Sequence, residues 1–265
     1  MESEVAIHQQ MLEAACHAAR IGGAVLQQWR NKFTVQEKGR FDLVTEADLA
    51  SQKQIFDHLQ KLYPAHQFVG EEQISQRDFK TEASSYRWVI DPLDGTTNYV
   101  HGNPYYAVSI GLEHRGELLV GAVYDPTRDE MFSALKGHGA FCNGKAIRSS
   151  GIEMLSEALV VASLPVCTNQ DAPAVQRFLK ALPAAQNVQR TGSASLNLCS
   201  VACSRIDAFW SSSLKPWDMA AGALIAVESG CVVSDLENQP FDVNRPSILC
   251  STSVALHEEL VALFN

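Results

Sequence analysis

Several things are missing from this sequence, and each absence closes off a class of function. There is no Cys-x-x-Cys pair. The seven cysteines, Cys16, Cys142, Cys167, Cys199, Cys203, Cys231 and Cys250, are odd in number and stand apart. They read as reduced core residues of a cytoplasmic protein and not as a disulfide framework. Cys199 and Cys203 lie one helical turn apart, but no second pair completes a soft-metal site, so packing is expected of them too. No apolar run approaches ~18–20 residues, which excludes a membrane-spanning helix. The opening Met1-Glu2-Ser3-Glu4 lacks the basic-then-apolar pattern of a signal peptide. Positive charge is scarce: 21 Lys and Arg face 30 Asp and Glu, a net −9, which argues against a nucleic-acid surface. An anionic substrate is also disfavoured unless bound cations reverse the field locally. The eight histidines form no H-x-x-x-H pair, no Walker A loop is present, and the serines after Gly192 do not make a G-x-S-x-G elbow. Zinc hydrolysis, ATP-driven phosphotransfer and a serine triad are therefore set aside.

What is present is an ordinary globular composition, 46% hydrophobic and 19% charged over 265 residues. That length suits one large domain or two smaller halves. The chain is organised around Trp88-Val89-Ile90-Asp91-Pro92-Leu93-Asp94-Gly95-Thr96-Thr97-Asn98. An apolar strand ends in a carboxylate, Pro and Gly force a tight turn, and hydroxyl residues follow. Two carboxylates three residues apart on such a turn form a hard-oxygen site suited to Mg²⁺ or Mn²⁺. Backbone N–H groups and a hydroxyl after Gly95 suit a phosphate. Metal and phosphate sites within one turn point to metal-assisted phosphate chemistry.

The flanking chain supplies more acids where strands end or helices begin. A helix over 4–30 buries Leu12, Ala15, Ala19, Gly22, Val25, Leu26 and Trp29, with Gly22-Gly23 marking close packing. After a loop at Lys38-Gly39-Arg40, a second helix opens at Asp42–Asp48 with Thr45 as N-cap and Asp48 in a capping box. Its expected buried side is Leu49, Phe56, Leu59 and Leu62. A short strand at 67–69 ends in Gly70-Glu71-Glu72. Residues 105–148 read as an antiparallel meander, with strands at 105–114, 117–125 and 130–135 and a hairpin at Asn143-Gly144. Beyond residue 150 strands (158–163, 187–190, 206–210, 231–234, 248–251) alternate with helices (173–182, 194–204, 218–229, 254–264). That pattern predicts an N-terminal α+β half, 1–150, and a C-terminal α/β half, 151–265, sharing a cleft. Asp218, after Trp217, is expected at the start of a helix, where an N-cap role and a ligand role are both open.

Asp91–Asn98, together with Gly70–Glu72, Asp42–Asp48, Gly137–Gly144, Thr191–Ala194 and Trp217-Asp218, resembles the inositol monophosphatase family of Mg²⁺-dependent, lithium-sensitive sugar phosphatases. The resemblance runs over nearly the whole chain. It implies a layered αβαβα fold, a homodimer, and hydrolysis of a phosphate monoester with up to three Mg²⁺, for which Mn²⁺ would substitute. Position by position, Glu71, Asp91, the carbonyl of Leu93, Asp94 and Asp218 would ligate metal, with Asp91 as the bridge. Gly95 and Thr96 would hold phosphate, and Thr96 with Asp48 would orient and deprotonate water, with Glu71 also in the catalytic set. Gly192, Ser193, Ala194 and Ser211, with Asp94 and Asp218, would meet the substrate; Lys38 and Glu72 would stand further out. Many family members carry an acid where this chain has Ser211, which weakens the case for a neutral ring. Lys215 or Arg190 would favour a more acidic substrate. Inositol 1-phosphate remains the first expectation, and fructose 1,6-bisphosphate, histidinol phosphate or a nucleotide 3′-phosphate follow it. A regulatory binding protein on the same scaffold is the reading of a different class.

Overall fold

The computed structural model describes residues 2–40, 42–72 and 86–265. Helix α1 (Glu2–Trp29) and helix α2 (Glu46–Leu62) pack side by side. Gly22 permits the approach, because a Cβ there would lie 2.7 Å from Ile55 and 2.9 Å from the Ser51 hydroxyl. Gly23 faces the Tyr124 ring, so the Gly-Gly step serves a sheet as well as a helix. Between the helices, β1 (Val35–Gly39) and β2 (Asp42–Thr45) form a two-stranded ribbon. Lys38 and Gly39 therefore belong to a strand and not to the loop expected from their composition; pairing with β2 overrides the turn signal of the glycine. The buried side of α2 is Ala47, Asp48, Ser51, Gln52, Ile55, Phe56 and Leu59, whereas Leu49 and Leu62 are exposed. Asp48 and Gln52 take core positions that an apolar count assigns to leucines.

Seven strands follow in one sheet. They are β3 (Gln67–Gly70), β4 (Tyr86–Asp94), β5 (Ala107–His114), β6 (Glu117–Asp125), β7 (Glu130–Leu135), β8 (Ala140–Cys142) and β9 (Lys145–Ala146), in sequence order, with β3–β4 parallel and the rest antiparallel. A short helix α3 (Thr96–Val100) leaves the end of β4. The later chain adds β10 (Leu159–Ser163), α4 (Pro173–Ala181), β11 (Asn187–Gln189), α5 (Ala194–Ala202), β12 (Ala208–Ser211), α6 (Pro216–Glu228), β13 (Val232–Ser234), β14 (Ile248–Ser251) and α7 (Val254–Phe264). Its strands make a mixed sheet of order β11-β10-β12-β14-β13.

The layers stack as αβαβα. Helices α1 and α2 cover one face of the seven-stranded sheet, α5 and α6 lie between the sheets, and α4 and α7 cover the outer side of the five-stranded one. Helix α6 is apolar nearly all round, as a helix buried on both sides must be. It presses so closely on the sheet that a Cβ at Gly121 would lie 2.6 Å from the Ala221 carbonyl oxygen. No helix among the described residues is long and apolar enough to cross a membrane. All seven cysteines are free. Cys199, Cys231 and Cys250 are core residues, but Cys167 is exposed and Cys16, Cys142 and Cys203 are half-buried, so the packing role expected for all seven holds for part of the set.

Candidate active site

Strand β4 carries its apolar residues Trp88, Val89 and Ile90 fully buried and delivers Asp91 and Asp94 to the edge of the gap between the sheets. The ladder with β5 pairs Asp91 with Ser109 and then skips to Asp94 with Ala107. This irregularity, at Pro92, bends the strand and re-aims its end. Gly95 follows with φ +97°, and a Cβ there would lie 3.0 Å from the Tyr105 carbonyl oxygen and 3.2 Å from that of Gly192. Glycine is required on both counts.

The expected residues other than Lys38 have definite places. Asp48 lies in the first turn of α2, where its Oδ2 accepts from the Thr45 backbone N–H (2.9 Å) and hydroxyl (2.6 Å). Its Oδ1 accepts from the Thr96 hydroxyl at 3.2 Å. The capping reading and a place beside Thr96 both hold for Asp48. Burial, with the Glu72 charge a lesser cause, pushes its carboxyl up to about 6. The Thr96 hydroxyl also reaches the Leu93 carbonyl, at 3.1 Å. Glu71 and Glu72 follow β3, and the Gln52 side chain clamps the Glu72 backbone, accepting from its N–H at 3.0 Å and donating to its carbonyl. That clamp was not legible beforehand, because a Gln in a helix carries no pattern.

Asp91 accepts from the Leu93 N–H at 2.9 Å. Burial raises its pKa well above the carboxylate range, and the charges of Glu71, Asp94 and Asp218 raise it further. Asp218 sits in the first turn of α6, which begins at Pro216, and accepts from the Lys215 N–H at 2.7 Å. The expected helix start at Asp218 is thus two residues late; Pro216 takes the first position, where its missing N–H costs nothing. Burial first, and then the charge of Asp94, push Asp218 up to about 8, against which the Lys215 N–H and a contact with Asp91 work. Asp94 is held differently. Its Oδ2 accepts from the Ser193 hydroxyl (2.6 Å), the Ser195 N–H (2.7 Å) and the Ser195 hydroxyl, and its Oδ1 from the Ala194 N–H (3.2 Å). The first turn of α5 thereby tethers the acid, although burial still raises its pKa. Ser195 is a residue that sequence reasoning passed over; the Ser-x-Ser at a helix start was the available signal.

Ser211 ends β12, buried, and accepts from the Ser213 N–H at 3.4 Å. Lys215 and Arg190 are exposed. The side chain of Lys38 lies outside the described residues.

Among the described residues no three His, Cys, Asp or Glu side chains close into a finished ligand set. The donor chemistry nevertheless fits a hard divalent cation. The charges of Asp94 and Asp218 raise the proton affinity of Asp91, the charge of Asp94 raises that of Asp218, and among the described residues none of the three forms an ion pair with Lys or Arg. Buried acids without a cationic partner are costly as anions, and an all-oxygen set favours magnesium over softer metals.

The comparisons with known proteins agree with this chemistry. Residues 7–265 match the model of the inositol monophosphatase family. The chain is 38% identical to inositol monophosphatase 2 of Solanum lycopersicum over 97% of its own length and 98% of the relative's. It is 42% identical to the Nus factor SuhB of Pseudomonas aeruginosa over 86% of each chain. A solved IMPase/NADP phosphatase complexed with Mg²⁺ and phosphate superposes with a TM-score of 0.86 at 26% identity, covering 98% of this chain and 96% of that one. The layered fold, the carboxylate-lined turn and these likenesses converge: the chain belongs to the inositol monophosphatase family of magnesium-dependent phosphomonoesterases.

Proposed function

We propose that this protein hydrolyses a small phosphate monoester, inositol 1-phosphate first, using two or three Mg²⁺ held by Glu71, Asp91, the Leu93 carbonyl, Asp94 and Asp218. The observation that carries the reading is the set of acids Asp91, Asp94 and Asp218, whose pKa values are all raised by burial and none of which, among the described residues, forms an ion pair with Lys or Arg. When bound, magnesium supplies a water of lowered pKa and stabilises charge on the leaving oxygen. The protein's own share is positioning and proton transfer. Thr96 accepts a proton from the attacking water as its own hydroxyl proton passes to Asp48 Oδ1, and Glu71 assists from the end of β3. Asp48, raised to about 6, is deprotonated at neutral pH yet basic enough to take that proton. Gly95 and Thr96 present backbone N–H groups to the phosphate, and Gly192, Ser193, Ala194 and Ser211 line the alcohol side, with Glu72 and Lys38 further out.

The two halves, 1–150 and 151–265, would supply opposite walls. Asp48, Glu71, Asp91, Asp94 and Thr96 come from the first, Ser193, Ser211 and Asp218 from the second. A homodimer and a cytoplasmic setting are part of the proposal; the family resemblance supports the first and the free cysteines the second. A different class has one observation behind it, the Nus factor name of a 42% relative: a regulatory binding protein on the same scaffold. Phosphate release from a panel of monoesters with Mg²⁺, with and without Li⁺, separates these readings. Mg²⁺-dependent, Li⁺-inhibited release is expected; no release from any ester would leave the regulatory reading. Preference within the panel for inositol, hexose bisphosphate, histidinol phosphate or nucleotide 3′-phosphate names the substrate.

A further inference from the structure

Asn98 has no part in the site described so far, yet its side chain makes three hydrogen bonds beside the phosphate turn. It lies on α3, three residues after Gly95. Its Nδ2 donates to two main-chain carbonyls from separate parts of the chain, Tyr105 at 2.7 Å and Thr191 at 2.8 Å. Its Oδ1 accepts from the Asn103 side-chain amide at 2.9 Å. Both amide protons and one of the two oxygen lone pairs are thus used. The surrounding groups are equally tight. Gly192 has φ +94°, and a Cβ there would stand 2.8 Å from Asn98 Nδ2. Gly95 is pressed against the Tyr105 and Gly192 carbonyls. A second tier continues the seam: the Tyr105 hydroxyl (2.9 Å) and the Thr191 hydroxyl (2.6 Å) both donate to Asn197 Oδ1 on α5.

We propose that Asn98 is a positioning residue that clamps the Gly95–Thr96 turn to the Thr191–Gly192 segment, setting the gap in which the phosphate group is held. The inference rests on the phosphatase reading for its consequence, but not for its geometry. An amide is required because both targets are carbonyl oxygens. A carboxylate of the same shape has no proton to give either one and would face two lone-pair-bearing oxygens. The two glycines then have a common cause: each lacks a Cβ because the clamp brings main chain to within contact of main chain. Asn98 makes its hydrogen bonds to Tyr105, Thr191 and Asn103 and not to Asp91 or Asp218, and it reaches the chemistry through the turn, so its loss should disturb phosphate and spare magnesium.

The variants Asn98→Ala, Asn98→Asp, Gly192→Ala and the double variant Asn98→Ala with Gly192→Ala test this in the full-length protein. Amide hydrogen exchange reads the clamp without reference to activity. In Asn98→Ala, peptides covering 93–98 and 190–195 should exchange at least about tenfold faster while those of α1 keep their rates. Calorimetry with Mg²⁺ alone, and with inorganic phosphate on the Mg²⁺-loaded protein, gives the second readout. Phosphate should bind about tenfold more weakly and Mg²⁺ within about threefold of wild type, with kcat falling about thirtyfold. Asn98→Asp should be at least as impaired as Asn98→Ala. Gly192→Ala should cost about fivefold less in the Asn98→Ala background, where the clash with the amide is gone. Unchanged exchange in both peptides overturns the clamp whatever the enzyme does. Equal losses of phosphate and Mg²⁺ affinity, or strictly additive effects in the double variant, also overturn it, because they indicate general loosening. Wild-type protein that exchanges as expected but releases no phosphate from any ester would sink the phosphatase reading and leave the clamp standing.

Discussion

Asp91 and Asp94 lie three residues apart on one turn, and the protein treats the two sides of that turn in opposite ways. On the Asp94 side, the start of α5 converges on the carboxylate with two hydroxyls and two backbone N–H groups. On the Asp91 side one backbone N–H is matched against the charges of Glu71, Asp94 and Asp218. A carboxylate gripped by donors is fixed in place by the fold itself. A carboxylate surrounded by acids is held in place at the cost of proton affinity, and that cost is relieved when a cation replaces the proton. The Asp94 side is therefore fixed by donors, and in the proposed reading the Asp91 side is where a cation would be held.

The contrast can be broken from either side. Asp91→Asn should produce the largest effect, a loss of Mg²⁺-dependent turnover of about 10³-fold or more, with the circular dichroism of the fold retained. Near-normal activity in that variant would remove the metal mechanism. Thr96→Ala comes next, at about 10²-fold in kcat, because it would cut the proposed path from water to Asp48. As the proposed proton acceptor, Asp48 would work only when deprotonated, and burial pushes its carboxyl up to about 6. The pH profile of kcat/KM should therefore fall about tenfold per unit below that value; a profile flat down to pH 5 would exclude Asp48 as the proton acceptor. Stripping the hydroxyls from Asp94 with Ser193→Ala and Ser195→Ala should cost about 1–3 kcal/mol of stability each, measured by urea unfolding. Turnover should suffer less than in Asp91→Asn, since the Ala194 and Ser195 N–H groups still hold the acid.

The smallest effect is on stability without metal. The folded pKa of Asp218 is about 8 against an ordinary 3.8. Between those values the folded protein keeps a proton that the unfolded chain has lost. This contribution is present in full below pH ~4 and is lost as pH rises through ~8. In EDTA the melting temperature should drop across that window, and Mg²⁺ should restore it at the alkaline end. A melting temperature that climbs with pH in EDTA would reverse the assignment.

The particular residues show what was legible in the sequence. The turn itself was readable because Pro92 and Gly95 are explicit conformational signals flanked by carboxylates and a buried strand. Thr45 and Asp48 were readable as a capping pair because that motif is local. The strands after residue 150 fell within a residue or two of their observed bounds for the same reason. What escaped depends on contacts far apart in the chain. Gln52 clamps the Glu72 backbone from the middle of α2, Ser195 reaches Asp94 across 101 positions, and Asn98 joins Tyr105 to Thr191. None has a periodicity or spacing that announces it. Leu49 and Leu62 were misassigned for the converse reason: hydrophobicity places a leucine on a helix, but the buried stripe of α2 is set by Asp48, Ser51 and Gln52 facing the site.

In the proposed site Asp91 and Asp218 would exchange a proton for a cation. Isothermal titration of the metal-free protein with Mg²⁺ at pH ~7, repeated in two buffers of different ionisation enthalpy, measures that exchange directly. Binding should be accompanied by release of about one proton, and both the binding and the release should vanish in Asp91→Asn. Mg²⁺ binding with no proton released, or binding of equal strength in the Asn variant, would contradict it.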